Sequence, residues 1–430
     1  MKIIRYTDAD FAGQKAGLTA ASSLFDAGIE ERARSIIAAV AARGDAALLE
    51  FTERFDGAKL TVEQLAVSSA ELMAASLAAD DALREAVAIA GKNVAAFARK
   101  SLRRNWETRN VQGGRVGEKF DAFQRVGIYI PGGTAPLAST ALMTITLAKV
   151  AGCKEIVVCT PCGKDGQINP ALLFAVCSAG ATEIYRLGGA QAIAALALGT
   201  STIRPVQKIY GPGNAYVVAA KRLLVGHVAI DLLPGPSEVL VLADDSAKPA
   251  FIAADLLAQA EHGSGHERVW LVTPSAKVIK AVEKEVARQL PKLSRRALIQ
   301  RVLDTHTFLI QVKDLAQGVE WANALAPEHC EVHTRNPRKV SENILTAGAL
   351  FLGGWSPTVL GDYLAGPSHT LPTGGAGRSF PGLTVDMFQR RTSVVEYDRA
   401  ALKRSLATVK KFAELEGLDA HGNSAAVRLK

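Results

Sequence analysis

The sequence predicts an α/β protein made of two Rossmann-like, doubly wound parallel-sheet modules, with a helical N-terminal region and a helical C-terminal tail. Three observations carry this. The chain has 430 residues, too many for one ordinary core. From about residue 125, short β-rich runs alternate with helical ones, as in "RVGIYIP" then "STALMTITLAKVAG", and "EIVVCTP" then "NPALLFAVCSAG". A second series of the same kind begins at "SEVLVLADD" and passes through "KPAFIAADLLAQAEHG", "RVWLVTPS", "AKVIKAVEKEVARQL", "HTFLIQV", "DLAQGVEWANALA" and "HCEVHT" to "ALFLGG". Strands separated by helices of this length pair in parallel, because a crossover helix returns the chain to the same sheet edge.

Taken in order, residues 1–105 read as a helical N-terminal region. Ala, Leu, Glu and Arg dominate "ERARSIIAAVAARGDAALLEFTERFD" and "LREAVAIAGKNVAAFARKSLRR", with apolar residues three and four apart. Residues 106–237 form the first α/β module and 238–381 the second, joined near "LLPGPSEV". Residues 382–430 form a helical tail. Leu402, Leu406, Val409 and Ala413 give it one narrow apolar stripe, which suits packing on another surface such as a partner subunit.

Composition excludes several classes. The chain is 48% hydrophobic and 21% charged with 37 Gly, a globular balance. It has no run of about 18 apolar residues, so no membrane span is expected. The opening "MKIIRYTDADFAGQ" lacks the apolar stretch of a secretory signal. Five cysteines, an odd number in a chain of this size, point to free thiols in a reducing compartment, and so to the cytoplasm. Cys159 and Cys162 spell C-x-x-C, but Pro161 and "GKDG" make this a loop after a strand, not the helix start of a redox motif. The net charge is +8, with basic residues concentrated between Lys92 and Arg125. A solvated face, a subunit contact or attraction of an anionic ligand all account for that; no nucleic-acid motif accompanies it.

Three glycine-rich turns, "YIPGGTAP", "RLGGAQA" and "YGPGNAY", lie between a strand and a helix, where backbone N–H groups can approach a phosphate. None matches G-x-G-x-x-G; after Gly211 and Gly213, Tyr216 stands where the third glycine belongs. Tight βα turns of any doubly wound sheet look the same.

The chemistry-bearing segments lie further on. In "LLAQAEHGSGHERV", Gln259 and His262 are three apart at a helix end, so they share one face, and Gly263 reads as the residue just past the helix. His266 is separated from them by helix-breaking glycines. Two ligands do not hold a catalytic zinc, so the remainder must come from elsewhere. "ALAPEHCEV" supplies adjacent Glu328 and His329, an acid/base pair. "LGDYLAGPSHTLPTGG" supplies Asp362 and His369, and "ELEGLDAHGNSA" supplies Glu416 and His421. Taken singly, each is equally an ordinary solvated loop residue or a helix-end charge.

Together, "VGIYIPGG", "GGAQAIAALA", "GPGNAYV", "GPSEVLVLAD", "QAEHG", "APEH", "GDYLAGPSHTLPT" and "EGLDAH" resemble, in order, the motifs of the histidinol dehydrogenase family over nearly the whole chain. The resemblance implies a zinc-containing homodimer. It implies oxidation of L-histidinol to L-histidine through L-histidinal with two NAD+, in the last steps of histidine biosynthesis. It makes Gln259, His262, Asp362 and His421 the zinc ligands, His421 arriving from the other subunit. Glu328 and His329 become the catalytic pair; Ser237, His369 and Glu416 join the metal ligands and His329 in contacting substrate. Tyr129, Gln191 and Asn214 become NAD contacts, in a family that binds NAD without the usual fingerprint.

Departures from the family pattern are Thr358 and Leu360 before "GDY", Ser368 in place of an asparagine, and "SGHER" after "QAEHG". They touch surroundings, not the proposed ligands. The alternatives are a relative on the same scaffold oxidising another polyol such as a sulfonated propanediol, a thiol-based aldehyde dehydrogenase using Cys330, and a two-lobed binding protein with no chemistry.

Overall fold

A computed structural model describes residues 1–20, 26–132 and 136–430, so the centre of the "YIPGGTAP" turn lies outside the described residues. In chain order, β1 (Lys2–Arg5) precedes the N-terminal helices, and β2 (Trp106–Arg109) and β3 (Arg115–Ala122) follow them. The first module contributes β4 (Arg125–Tyr129), β5 (Glu155–Thr160), β6 (Glu183–Arg186), β7 (Lys208–Tyr210) and β8 (Ala229–Ile230). The second contributes β9 (Glu238–Ala243), β10 (Arg268–Thr273), β11 (Thr307–Gln311), β12 (His329–His333) and β13 (Ala349–Leu352). The tail contributes β14 (Gln389–Glu396).

Both central sheets are parallel throughout. The first runs β6-β5-β4-β7-β8 and the second β1-β11-β10-β9-β12-β13. Their inner strands are buried on both faces and read as nearly continuous apolar runs: Glu238–Ala243 is buried at every position. Helices Ser69–Ala78, Asp81–Ser101, Ala138–Ala151 and Pro170–Ala179 cover one face of the first sheet. Helices Ala27–Arg43, Asp45–Asp56, Gly189–Leu198 and Ala215–Leu223 cover the other. Helices Pro249–Ala260, Ala276–Gln289 and Arg296–Thr305 lie on one face of the second sheet, and Phe11–Thr19 and Leu315–Leu325 on the other.

The N-terminal region is therefore not a separate unit. Its long helices are layers of the first module, whereas β1 pairs in parallel with β11 at the edge of the second, Ile3 opposite Leu309. The boundary at 382 shifts for a similar reason: Leu383, Val385 and Phe388 enter the first core, where the Phe388 ring stacks on Tyr210 at 3.9 Å. A third sheet, β14-β3-β2, is antiparallel and lies outside the sequence reading. Its strands, such as "RVGEKFDA" and "QRRTSVVE", are charged and largely open to solvent, so they carry no apolar period. Two further differences are local. Helix Arg296–Thr305 was not read from the sequence, and the run after Pro337 is helical only over Pro337–Ser341.

Of the basic stretch, Arg125 turns inward to Glu155 at 2.6 Å and Glu183 at 2.5 Å. Arg103 and Arg115 form exposed pairs with Asp386 and Glu396 that add little stability. No helix among the described residues is long and apolar enough to cross a membrane.

Candidate functional site

In the first sheet the chain runs outward from β4 to β6, then returns to β7 on the other side of β4. The crevice at that switch, beyond the strands' C-terminal ends, is where doubly wound sheets take ligands. Tyr129 ends β4 there, buried, and its hydroxyl oxygen accepts the Gly189 N–H at 3.1 Å. Burial pushes this phenol up to about 12, so it stays protonated. Gly211 follows β7 with φ +106°, and a Cβ there would lie 2.0 Å from the Tyr129 carbonyl, so only glycine fits. Gln191 is buried at the start of helix Gly189–Leu198 with its Oε1 unpartnered. Asn214 caps helix Ala215–Leu223, its Oδ1 accepting Tyr216 N–H at 3.0 Å and Val217 N–H at 3.2 Å. That oxygen is thus committed to the helix.

The second sheet places its chemistry at the opposite edge. Glu238 and His329 open β9 and β12, the neighbouring strands between which that sheet switches direction. His329 Nδ1 donates to the Glu238 carbonyl at 2.9 Å, which leaves Nε2 as the unprotonated nitrogen of a neutral ring. That Nε2 is buried and has no hydrogen-bond partner. Burial holds the ring's pKa down at about 4, and the nearby His262 and His369 lower it further. Glu328 accepts the Glu238 N–H at 2.8 Å and bonds the Ser237 hydroxyl. Burial raises its pKa well above the usual carboxyl range.

Helix Pro249–Ala260 ends at Ala260, two residues earlier than the sequence suggests. A tighter last turn, with His262 N–H donating to the Gln259 carbonyl at 3.4 Å, still relates the two residues. Gly263 has φ +96°, a backbone conformation outside the right-handed helix, so the helical run cannot continue through it. His262 remains open to solvent on one side, while desolvation on its protein-facing side lowers its pKa. Gln259 is buried with both Oε1 and Nε2 unpartnered, an expensive arrangement for an amide unless a ligand engages it.

Asp362 lies on the short helix Thr358–Tyr363, with Oδ1 3.8 Å from His329 Nε2 and 4.0 Å from His369 Nδ1. His369 donates from Nδ1 to the Asp362 carbonyl at 3.0 Å, and its Nε2 lies 3.1 Å from the Thr140 hydroxyl at the first module's helix Ala138–Ala151. Both of its nitrogens are therefore engaged within the chain, and its ring joins the two modules. Burial raises Asp362 to about 7 and Glu238 to about 7. The imidazoles of His329 and His369 thus stand beside the Asp362 carboxyl, His262 lies near both rings, and the unpartnered amide of Gln259 comes three residues before His262. That donor set fits zinc at Gln259, His262 and Asp362.

Glu416 and His421 are not brought to this cluster within one chain. Glu416 ends helix Arg399–Glu416 and His421 lies on Asp419–Ala426, both exposed. Beyond β14, the tail's hydrogen bonds to other elements reach the β2–β3 turn: Asn110 to Tyr397 at 2.5 Å and Arg404 to Gln112 at 2.8 Å.

The sequence reading missed three residues that face the same way as His329. Along β12, His329, Glu331 and His333 share one sheet face, while Cys330 and Val332 pack in the core on the other. Asp255, Glu331 and His333 bring their ligand atoms within 4.8 Å of one another. The signal was in "HCEVH", where polar residues alternate in a strand that should be apolar on both faces.

Cys330 is buried, and burial pushes its thiol up to about 12. It points away from His329, so a nucleophilic role fails on both reactivity and direction. Cys330→Ser is expected to retain activity within about threefold; a collapse of kcat with unchanged folding would restore the thiol route.

The raised Asp362 gives a stability prediction for metal-free protein. Its folded pKa of about 7 exceeds the unfolded value of about 3.9. The protonated form's contribution is present below the unfolded value and lost as pH rises through 7. Asp362→Asn should therefore stabilise metal-free protein by roughly 2–4 kcal/mol at pH 8, and by nearly nothing at pH 4. Urea midpoints at the two pH values check this, and equal effects at both would refute it.

Two doubly wound modules closing on a buried cluster of imidazoles and carboxyls define an α/β enzyme. The family model described as histidinol dehydrogenase matches residues 20–429. The chain is 47% identical over 408 residues to the histidinol dehydrogenase of Geobacillus kaustophilus, covering 94% of this chain and 96% of that one. It is 42% identical over 430 residues to that of Syntrophotalea carbinolica, covering 100% and 99%. The crystal structure of histidinol dehydrogenase from Elizabethkingia anophelis superposes with a TM-score of 0.95 at 35% identity, covering 100% of this chain and 98% of that one. The chain belongs to the histidinol dehydrogenase family.

Proposed function

We propose that this protein oxidises L-histidinol to L-histidine through L-histidinal, using two NAD+ and one zinc ion per subunit. It would do so as a cytoplasmic homodimer in the last steps of histidine biosynthesis. The observation that carries the reading is the buried, unpartnered His329 Nε2 beside Asp362, on a neutral ring whose other nitrogen is fixed by the Glu238 carbonyl. An alcohol gives up hydride readily only as its proton leaves, and a fixed neutral imidazole supplies the acceptor for that proton.

Gln259, His262 and Asp362 would hold the zinc, with His421 of a second copy as the fourth ligand. When bound, the ion orients the substrate's alcohol carbon and balances the buried carboxyls. NAD+, held along the first module's crevice at Tyr129, Gln191 and Asn214, takes the hydride. In the first step, His329 Nε2 removes the hydroxyl proton as the hydride departs, leaving an aldehyde. In the second, water adds to the aldehyde carbon, Glu328 accepting its proton once a nearby cation favours the ionised carboxyl, while the former carbonyl oxygen takes the proton left on His329 Nε2 and returns the ring to its neutral form. His329 then takes the hydrate's proton as the second hydride leaves. Ser237 holds Glu328, and His369 and Glu416 line the substrate's other end.

Exposed apolar groups support the subunit reading. Around Asp362, Trp355 is 82% exposed and Tyr363 63%; on the tail beside Glu416, Phe412 is 60% exposed and Leu415 69%. Such surfaces are costly unless covered. Of the stripe read from the sequence, Ala413 is buried against the tail's own second helix, at Gly422.

Zinc-loaded protein should form two NADH per L-histidinol consumed; absence of NADH would end the reading. Gln259→Ala and His421→Ala should each be nearly inactive alone. Mixed after subunit exchange, they should regain up to about a quarter of wild-type activity, since half the dimers are mixed and each has one intact site. No recovery despite demonstrated exchange would place His421 outside the site.

A further inference from the structure

We propose that Glu331 is a positioning residue, whose buried clasp to Thr358 sets the placement of the metal ligand Asp362. The proposal rests on the zinc reading above.

Glu331 lies on β12, two residues beyond His329 and on the same face, and is completely buried. Its Oε1 accepts both the backbone N–H of Thr358 at 2.7 Å and the Thr358 hydroxyl at 2.6 Å. Thr358 opens the helix that carries Asp362 four residues, about one turn, later. A carboxylate taking two bonds at a helix start fixes where that helix begins.

On the other side stand His333 of the same strand and Asp255 of helix Pro249–Ala260, their ligand atoms within 4.8 Å of a Glu331 oxygen. His333 Nε2 stands 3.2 Å from Glu331 Oε2 and 3.8 Å from Asp255 Oδ2. From the strand that bears the base, one side chain thus grips the helix that carries Asp362, one turn before that ligand. Zinc tolerates little error in ligand spacing, and groups of this kind typically change metal affinity 10–100-fold when altered.

The cluster is not itself the better metal site. Glu331 Oε1 is already taken by Thr358.

The test measures zinc affinity by chelator competition for wild type, Glu331→Gln, Thr358→Val and Thr358→Ser, beside the thermal midpoint of each metal-free protein. The clasp predicts zinc binding weakened 10–100-fold in Glu331→Gln and Thr358→Val. Thr358→Ser, which keeps the hydroxyl, should stay within about threefold of wild type. A purely structural role would lower the metal-free midpoint and leave zinc affinity alone. Affinity within threefold of wild type in Thr358→Val overturns the proposal, and that variant decides if Glu331→Gln fails to fold. Zinc lost in His333→Gln but kept in Asp362→Asn would put the ion in the cluster and overturn it too. Wild type that binds no zinc would overturn the metal reading itself, and the clasp with it.

Discussion

His329→Gln is expected to lower kcat for histidinol oxidation about 10³-fold while leaving zinc content and folding close to wild type. Glutamine approximates the length of imidazole and can still donate to the Glu238 carbonyl, so the contact at 2.9 Å is largely retained. What is lost is a neutral nitrogen lone pair, buried and unpartnered. Both half-reactions need that acceptor, so oxidation of histidinol and of histidinal should fall together. The pKa of about 4 adds an expectation for the wild type: at neutral pH its ring is already in the base form, so raising the pH further should not increase turnover through this group. Histidinal oxidation within tenfold of wild type would show that another group serves the second step, and Glu328 would be first to be examined.

Zinc removal should cost still more. Exhaustive chelation is expected to abolish turnover by at least 10³-fold, with full recovery on adding one equivalent of zinc per chain. Gln259→Ala should mimic chelation and resist rescue at micromolar zinc. The reasoning starts from unpaired atoms: both polar ends of Gln259 are buried without a partner. Glu238, Glu328 and Asp362 are all held above the normal carboxyl range, chiefly by burial. A cation offsets those costs, so its loss should also lower the thermal midpoint. Chelated protein with undiminished turnover would remove the metal from the chemistry and leave Gln259 unexplained.

Much of the fold was legible because buried parallel strands leave continuous apolar runs. "EVLVLA" and "RVWLVT" needed no context to be read as interior strands. The third sheet was illegible for the complementary reason. β3 and β14 are laced with charge and face water, so nothing in their composition distinguishes them from loops. In the site, Glu328 and His329 stood out as neighbours, but no local pattern says that residues 262, 329, 362 and 369 converge. That is a property of topology, since His329 stands at the N-terminal edge of its sheet, opposite to the usual ligand edge. Asp255, Glu331, His333 and Thr358 were within reach of a stricter reading of β12, where three polar residues on one face of an interior strand demand partners.

The ring at 369, hydrogen-bonded to Asp362 on one side and lying against Thr140 on the other, joins two halves with unequal duties. The glycine turns belong to one half and the proton-handling groups to the other. In the reaction proposed above, a spent dinucleotide would leave its own sheet and a fresh one dock while the half-oxidised intermediate stayed gripped across the seam. An enzyme with that task, reloading its oxidant without dropping a reactive aldehyde, would gain from such a division of labour.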